Sequence, residues 1–239
     1  KAREGRGVKY KIPSWVEVPA DAGYVAKEIS GAAGNPYAKV DVRPGDVVLD
    51  LGAYVGTFAI AAAMVGAMVV CYEPHPGTFE IMKRNLLCQE RNQGYAAFFC
   101  ANEAVVGGES GERALNLSPR GKSSSHSLMP RRGASSSVPV FARNINEVLV
   151  TWKPNVIKID VEGAEYEILV ALDLGAVEPV REVVAELHRV TAFHRNAIAA
   201  VDRMAQLGFV YVSMPQMKSR IAMTMVWRRP AYEERRPPG

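Results

Sequence analysis

The chain has 239 residues, of which 48% are apolar and 23% charged, and carries a formal net charge of +4. Such a length and apolar content suit one large α/β domain or two small ones and exclude a wholly disordered chain. No apolar run reaches the roughly 18 residues of a membrane span, and the positive excess is too mild for a dedicated nucleic-acid binder.

Residues 1–45 read as an N-terminal extension that packs on the core domain, with a predicted strand at 8–12 and a predicted helix at 22–29. The basic, polar start has no apolar stretch behind it, so no secretory signal is expected and a cytoplasmic location is read. Cys71, Cys88 and Cys100 are odd in number and lack metal-type spacing. Reduced thiols in a cytoplasmic protein follow from that.

From residue 46 the pattern becomes regular. A strand at 47–50 leads to a helix at 57–65, stopped by Gly66, and then to a strand at 68–73. The next helix, 78–91, carries Phe79, Met82, Leu86 and Leu87 at helical spacing. A strand lies within 97–106. A helix is expected at 144–150, a strand at 156–160, a helix at 164–174, a strand at 183–188, and a helix at 192–207 ended by Gly208. Two strands, 209–214 and 221–227, close the series, joined by a loop with Lys218, Ser219 and Arg220. Alternating strands and helices build a mostly parallel sheet covered on both faces. The last two strands are too close for a parallel crossover, so they pair antiparallel. The proline-containing, charged tail at 231–239 reads as a flexible end.

Residues 107–140 interrupt this order. They are rich in Gly, Ser, Pro and Arg, and too long for an ordinary connection. Two readings stand: a lid over a substrate, whose arginines meet a carboxylate or phosphate, and a solvated surface insertion.

In open α/β sheets ligands bind beyond the carboxyl ends of the strands. Those ends carry Asp50, Gly52 and Gly56; Glu73 and Pro74; Asn102 and Glu103; Asp160, Glu162 and Gly163; Glu186 and His188. Helix capping accounts for Asp160, Glu162 or Glu165 singly, but poorly for an acid at every end. The first turn reads Asp-x-Gly-x-x-x-Gly, which is neither Gly-x-Gly-x-x-Gly nor a Gly-Lys-Ser/Thr phosphate loop. It holds no arginine or lysine. Glu73 stands 23 residues after Asp50, where a carboxylate accepts the hydroxyls of a ribose. The set suits a nucleoside without a pyrophosphate, and S-adenosylmethionine is such a ligand.

Other chemistry finds less support. His75, His126, His188 and His194 lack zinc spacing. Asn35-Pro36-Tyr37 precedes the glycine turn and lacks the second proline of amino-methylating DNA enzymes. No Pro-Cys pair is present, which argues against methylation at cytosine carbon.

Four segments together, VVLDLGAYVGTF, CYEPHPGTFEIMKRNL, VIKIDVEGAEYEIL and VVAELH, resemble the FkbM family of S-adenosylmethionine-dependent methyltransferases in order and spacing. The resemblance covers roughly residues 25–215. It implies an α/β, Rossmann-like class I methyltransferase fold: a mostly parallel seven-stranded sheet with an antiparallel C-terminal hairpin. The methyltransferase domain is then 46–230. By the same resemblance, Asp50, Gly52 and Gly56 hold the methionine part of S-adenosylmethionine, and Glu73 binds the ribose. Asn102, Glu103 and Ala104 lie along the adenine edge. Ala53, Tyr54, Thr57, Pro74 and Asp160 complete the cofactor set. Tyr54 departs from the family, which usually has a small polar residue or histidine there.

The family commonly methylates oxygen atoms of sugars and natural products, so a small-molecule or glycan acceptor is expected. His188, with Glu186, is the candidate general base, and Asp160 faces it from the neighbouring strand. Two alternatives remain: His188 as hydrogen-bonded structure, and Asp160 with Glu186 as a Mg²⁺ site, which is not the expectation. Two basic clusters, 120–132 and 228–236, support a runner-up, a nucleic-acid or protein methyltransferase. A non-catalytic nucleoside-binding module ranks below both. Acceptor and oligomeric state are not fixed by the sequence.

Overall fold

The computed structural model describes residues 13–22, 37, 39–93, 98–118, 126–129, 136–188, 194–212, 216–219 and 222–230. The strand expected at 8–12, the helix expected at 22–29 apart from Ala22, and the tail at 231–239 lie outside them.

The strands are β1 (Val47–Leu51), β2 (Met68–Tyr72), β3 (Phe98–Ala101), β4 (Ala104–Val106), β5 (Gly111–Asn116), β6 (Ser137–Asn144), β7 (Val156–Ile159), β8 (Glu182–His188), β9 (Val210–Tyr211), β10 (Gln216–Ser219) and β11 (Ala222–Arg228). The helices are α1 (Thr57–Ala63), α2 (Pro76–Gln93), α3 (Ile145–Trp152), α4 (Glu165–Ala171) and α5 (His194–Gln206). The main sheet runs β10-β11-β8-β7-β1-β2-β3, with β9 also on β11. β3, β2, β1, β7 and β8 are parallel, and β11 returns antiparallel to β8. β9 and β10 share the other edge of β11, both antiparallel to it, so the sheet has seven positions. This is the expected α/β architecture.

The strands are apolar on both sides because both faces are covered. Leu49, Leu51, Val70, Ile157 and Ile159 join one core, under α3, α4 and α5. Val48, Val69, Cys71 and Val156 join the other, with Phe58 and the alanines of α1, and Met82 and Leu86 of α2. Tyr37, Val40 and Val42 of the N-terminal segment are buried in this second core. Arg181, itself buried, ties that segment down by donating to the Asp41 carbonyl at 2.6 Å, and it also pairs with Asp46 at 2.7 Å.

Three expectations are corrected. The single strand expected within 97–106 is two: β3 ends at Ala101, and β4 enters a second sheet ordered β4-β6-β5. Residues 107–140 are not one long loop, because β5 and the start of β6 lie inside them and pair antiparallel. Their polar composition reflects a small sheet buried on one side: β6, its central strand, alternates exposed with buried residues, and Leu115, Val140 and Ala142 are buried in the small core with Leu128 and Val138 packed against it. Residues 119–125 and 130–135 are outside the described set. Finally, Lys218 and Ser219 belong to β10 rather than to a loop.

Candidate active site

The sheet order reverses between β1 and β7, since the chain runs from β1 outward to β3 and later returns on the other side of β1. A crevice opens at such a point. Gly52, with φ of 73°, makes the turn out of β1, and a Cβ there would come within 1.9 Å of the Asp160 carbonyl oxygen. Only glycine lets the two strand ends pass this closely. Tyr54 also takes a left-handed conformation, with φ of 55°. That conformation favours Asn, Asp and His among non-glycine residues, which gives a backbone reason for the residue types the family usually has at this position.

Asp50 is fully buried and in register with Lys158 on β7. The Lys158 ammonium donates to Asp50 Oδ1 at 3.0 Å and to the Gly52 carbonyl at 3.1 Å. It stands 3.7 Å from Asp160 Oδ2, which accepts from the Tyr37 hydroxyl at 3.1 Å. Burial opposes charge on Lys158, but Asp50 and Asp160 outweigh it and raise its pKa, so the ammonium stays charged. Through this ammonium, the carbonyl of the turn and the end of β7 are held together.

Glu73, at the end of β2, is buried and held by three donors. Its Oε1 accepts from the His75 backbone N–H at 2.9 Å and the Thr78 hydroxyl at 2.8 Å. Its Oε2 accepts from the Tyr54 N–H at 2.9 Å. The left-handed Tyr54 therefore serves to aim its amide at Glu73. Burial pushes the Glu73 carboxyl up to about 7 although these donors oppose it. Ala53 and Thr57 are buried beside the turn, and Pro74 follows Glu73 into α2.

At the end of β3, Asn102 donates to the carbonyls of Glu73 and Pro74 at 2.9 and 3.0 Å. Glu103 is clasped by the Arg143 guanidinium at 2.7 and 3.0 Å. Ala104 is buried in the small sheet. These three positions surround the end of β3, with Asn102 fastening it to β2.

The fourth and fifth strand ends converge on His188. Its Nδ1 lies 2.8 Å from Glu165 Oε1, and its Nε2 lies 3.7 Å from both Glu162 and Glu186. Burial opposes protonation of the ring, but the Glu165 hydrogen bond and the charges of Glu165, Glu162 and Asp160 prevail and raise its pKa to about 10. The ring is thus an imidazolium at neutral pH and accepts a proton only after giving one up. Glu165 is fully buried, and its Oε1 also accepts from the Val161 and Gly163 N–H groups. Glu165 does not cap α4, whose N-cap is Ala164 without a side-chain hydrogen bond; it satisfies amides of the turn ahead of the helix. The Tyr166 hydroxyl donates to the His188 carbonyl at 2.7 Å and fixes the strand end.

Residues 126–129 of the interrupting segment reach this same side. The Ser127 hydroxyl donates to the Glu162 carbonyl at 2.6 Å, and Met129 lies against Gly163. His126 stacks on His75 with ring centroids 4.1 Å apart. The piece therefore bridges the ends of β2 and β7.

Sequence reasoning missed Lys158, Tyr37 and the pairing of Glu165 with His188. Lys158 had a signal: a lysine between isoleucines in a strand buried on both faces must have a partner. Tyr37 and Glu165 depend on contacts between distant segments and carried none.

The sequence profile of the methyltransferase FkbM domain matches residues 50–211. The chain belongs to the FkbM methyltransferase family. Among curated proteins, it is 29% identical over 148 residues to the hexuronic acid methyltransferase AglP of Haloferax volcanii, covering 62% of this chain and 58% of that protein. It is 26% identical over 200 residues to the methyltransferase sdnD of Sordaria araneosa, covering 70% of this chain and 74% of that protein. Among solved structures, the FkbM methyltransferase of Methylobacillus flagellatus KT has the same fold, with a TM-score of 0.52 at 14% identity. That match covers 77% of this chain and 43% of the other. Among the described residues, no helix of this FkbM family member is long and apolar enough to cross a membrane.

Proposed function

We propose that this FkbM domain binds S-adenosylmethionine and methylates an oxygen atom of a sugar-bearing or other small-molecule acceptor. The observation that carries the reading is the state of Glu73. A carboxylate offers about four acceptor positions, and the chain itself fills three of them. The remaining position on Oε2 fits a ribose hydroxyl. The surroundings fit as well: Asp50 and Asp160 would repel a phosphate, and Lys158 beside them is engaged with both.

Glu73 and Pro74 would hold the ribose, the 50–57 turn the methionine part, and the 102–104 segment the adenine edge. S-adenosylmethionine supplies an electrophilic methyl group. The chain's part is to place an acceptor oxygen against it and to take up the hydroxyl proton, and placement alone contributes much of the rate. Asp160, Glu186 and His188 are assigned to that end of the site. Asp160 is the most exposed of the three and so the most open to an acceptor.

The hexuronic acid substrate in the name of the Haloferax relative supports a sugar acceptor. The nucleic-acid alternative loses part of its basis, because Arg228 pairs with Glu182, and Arg229 donates to the carbonyls of Val177, Glu178 and Leu207. Calorimetry with S-adenosylmethionine tests the reading directly. Wild type should bind it, and Glu73→Ala should bind it far more weakly. Absence of binding by wild type overturns the reading. Uronic acids and their glycosides are the first acceptors to screen with labelled cofactor.

A further inference from the structure

We propose that Cys71 and Cys100 are an oxidation site, joined by peroxide into a reversible disulfide across β2 and β3. The two residues are in register on neighbouring parallel strands. Cys71 is fully buried in the core that also holds Met82 and Leu86 of α2, and Cys100 packs against that same core. Both thiols therefore stand on one face of the sheet. Neighbouring strands lie about 4.8 Å apart, and a disulfide spans Cα separations of about 4.4–6.8 Å. The Cys71 thiol donates a hydrogen bond to the Cys100 sulfur.

The two thiols differ in the way such a reaction needs. The first to react needs thiolate character and access, and the second needs only nearness. The hydrogen bond from Cys71 holds the Cys100 thiol below its usual range, although burial opposes it. The same bond, together with burial, lifts the Cys71 thiol well above its own. Cys100 is only partly buried, and β3 is an edge strand of the main sheet among the described residues. Cys88 lies on α2, outside this ladder. With hydrogen peroxide as oxidant, the Cys100 sulfur attacks one peroxide oxygen, the O–O bond breaks, and the released hydroxide takes up the thiol proton as water. The Cys71 sulfur then gives up its proton and attacks the Cys100 sulfenic acid; the S–S bond forms, the S–O bond breaks, and a second water leaves.

Parallel neighbours hold their Cβ atoms near the strand spacing, wider than the roughly 3.8 Å of a relaxed disulfide, so β3 must move inward. A strained disulfide of this kind is easily reduced again. The movement reaches Glu73, which stands two residues beyond Cys71. Its N–H donates to the Ala101 carbonyl at 3.1 Å, and its own carbonyl accepts from Asn102 at 2.9 Å. Resting on the S-adenosylmethionine reading, oxidation thereby loosens the ribose end of the site and weakens cofactor binding.

The test exposes the reduced full chain to a small molar excess of hydrogen peroxide, quenches with iodoacetamide, and maps peptides by mass spectrometry without reduction. A linked Cys71–Cys100 peptide is expected, with Cys88 alkylated, and dithiothreitol should restore both thiols. Linkage to Cys88, sulfinic acid at Cys100, or no reaction overturns the proposal. The oxidised chain should still melt cooperatively, and linkage found only in unfolded chain also overturns it. Hydrogen exchange reads the coupling without any cofactor. The Tyr54 and His75 amides, which donate to Glu73, should exchange faster in oxidised wild type and not in peroxide-treated Cys100→Ser. Unchanged exchange overturns the coupling. Calorimetry with S-adenosylmethionine should show affinity about tenfold or more lower in the oxidised form, the scale of one hydrogen bond to a charged group. It also keeps the two readings apart: a reduced chain that binds no cofactor sinks the cofactor reading, while peptide mapping and exchange still decide the disulfide.

Discussion

At the ends of β1 and β2, each acid already has a partner within the chain. Asp50 holds Lys158, and Glu73 gathers two backbone amides and a hydroxyl while keeping one acceptor position. At the ends of β7 and β8, one imidazolium faces several carboxylates, and an oxygen of Glu165 goes unpartnered. The first region is organised by the chain's own contacts, as suits the proposed cofactor site. The second is organised around the His188 ring, which stands between Glu162, Glu165 and Glu186.

The strongest way to break this contrast is to separate the two regions. Gly52→Ala drives a Cβ into the Asp160 carbonyl at a left-handed position. A loss of about 5 kcal/mol or more is expected, among the largest single-residue effects. Thermal melting, or failure to recover soluble protein, checks it. Lys158→Met comes next. It leaves Asp50 buried without its counter-ion, and removing one partner of a buried pair costs about 3–5 kcal/mol. Chemical denaturation measures the difference, and a change below about 1 kcal/mol would show that the pair does not anchor the two strands.

Glu73 tests the cofactor end by itself. Glu73→Ala should weaken S-adenosylmethionine binding by about 10- to 100-fold, the worth of a charge-assisted hydrogen bond. Glu73→Gln separates stability from binding. The carboxyl rises from 4.5 to about 7 on folding, so the folded state holds its proton more tightly than the unfolded one. Wild-type stability therefore falls as pH rises from about 4.5 to about 7 and stays lowered above. Glu73→Gln should remove that fall, so its melting temperature relative to wild type increases between about pH 5 and about pH 8. A constant difference across that range would contradict a carboxyl whose charge is disfavoured by burial. The smallest effect is expected at the rim, where Arg143→Ala removes a solvent-exposed pair with Glu103. Melting temperature should not move, and a large change would reveal a wider role for that pair.

The residues of the proposed cofactor end stand together in the sequence because their signals are local. The apolar run, the acid and the two glycines fall within ten residues, and Glu73 stands at the end of the next strand. The parallel sheet and its antiparallel edge followed from alternation and from the short gap before the last strand. The proposed acceptor end was legible only as a list of acids and one histidine. Its character depends on Glu165 reaching across to His188, a contact between residues 23 apart that neither periodicity nor composition encodes. The second sheet escaped for a related reason: β5 and β6 are exposed on much of their surface, so their polar residues look like a loop. Tyr54 became intelligible only once its backbone angle was known.

The far edge of the sheet has a consequence of another kind. β9 and β10 share one side of β11, as runs of two and four residues, with an irregular register where β10 meets it. A long, flat outer strand would present a continuous row of unpaired amides and carbonyls to other molecules. The two described runs, β9 and β10, are each too short for such templating. Lengthening either into a longer straight strand would therefore be expected to raise the tendency to aggregate.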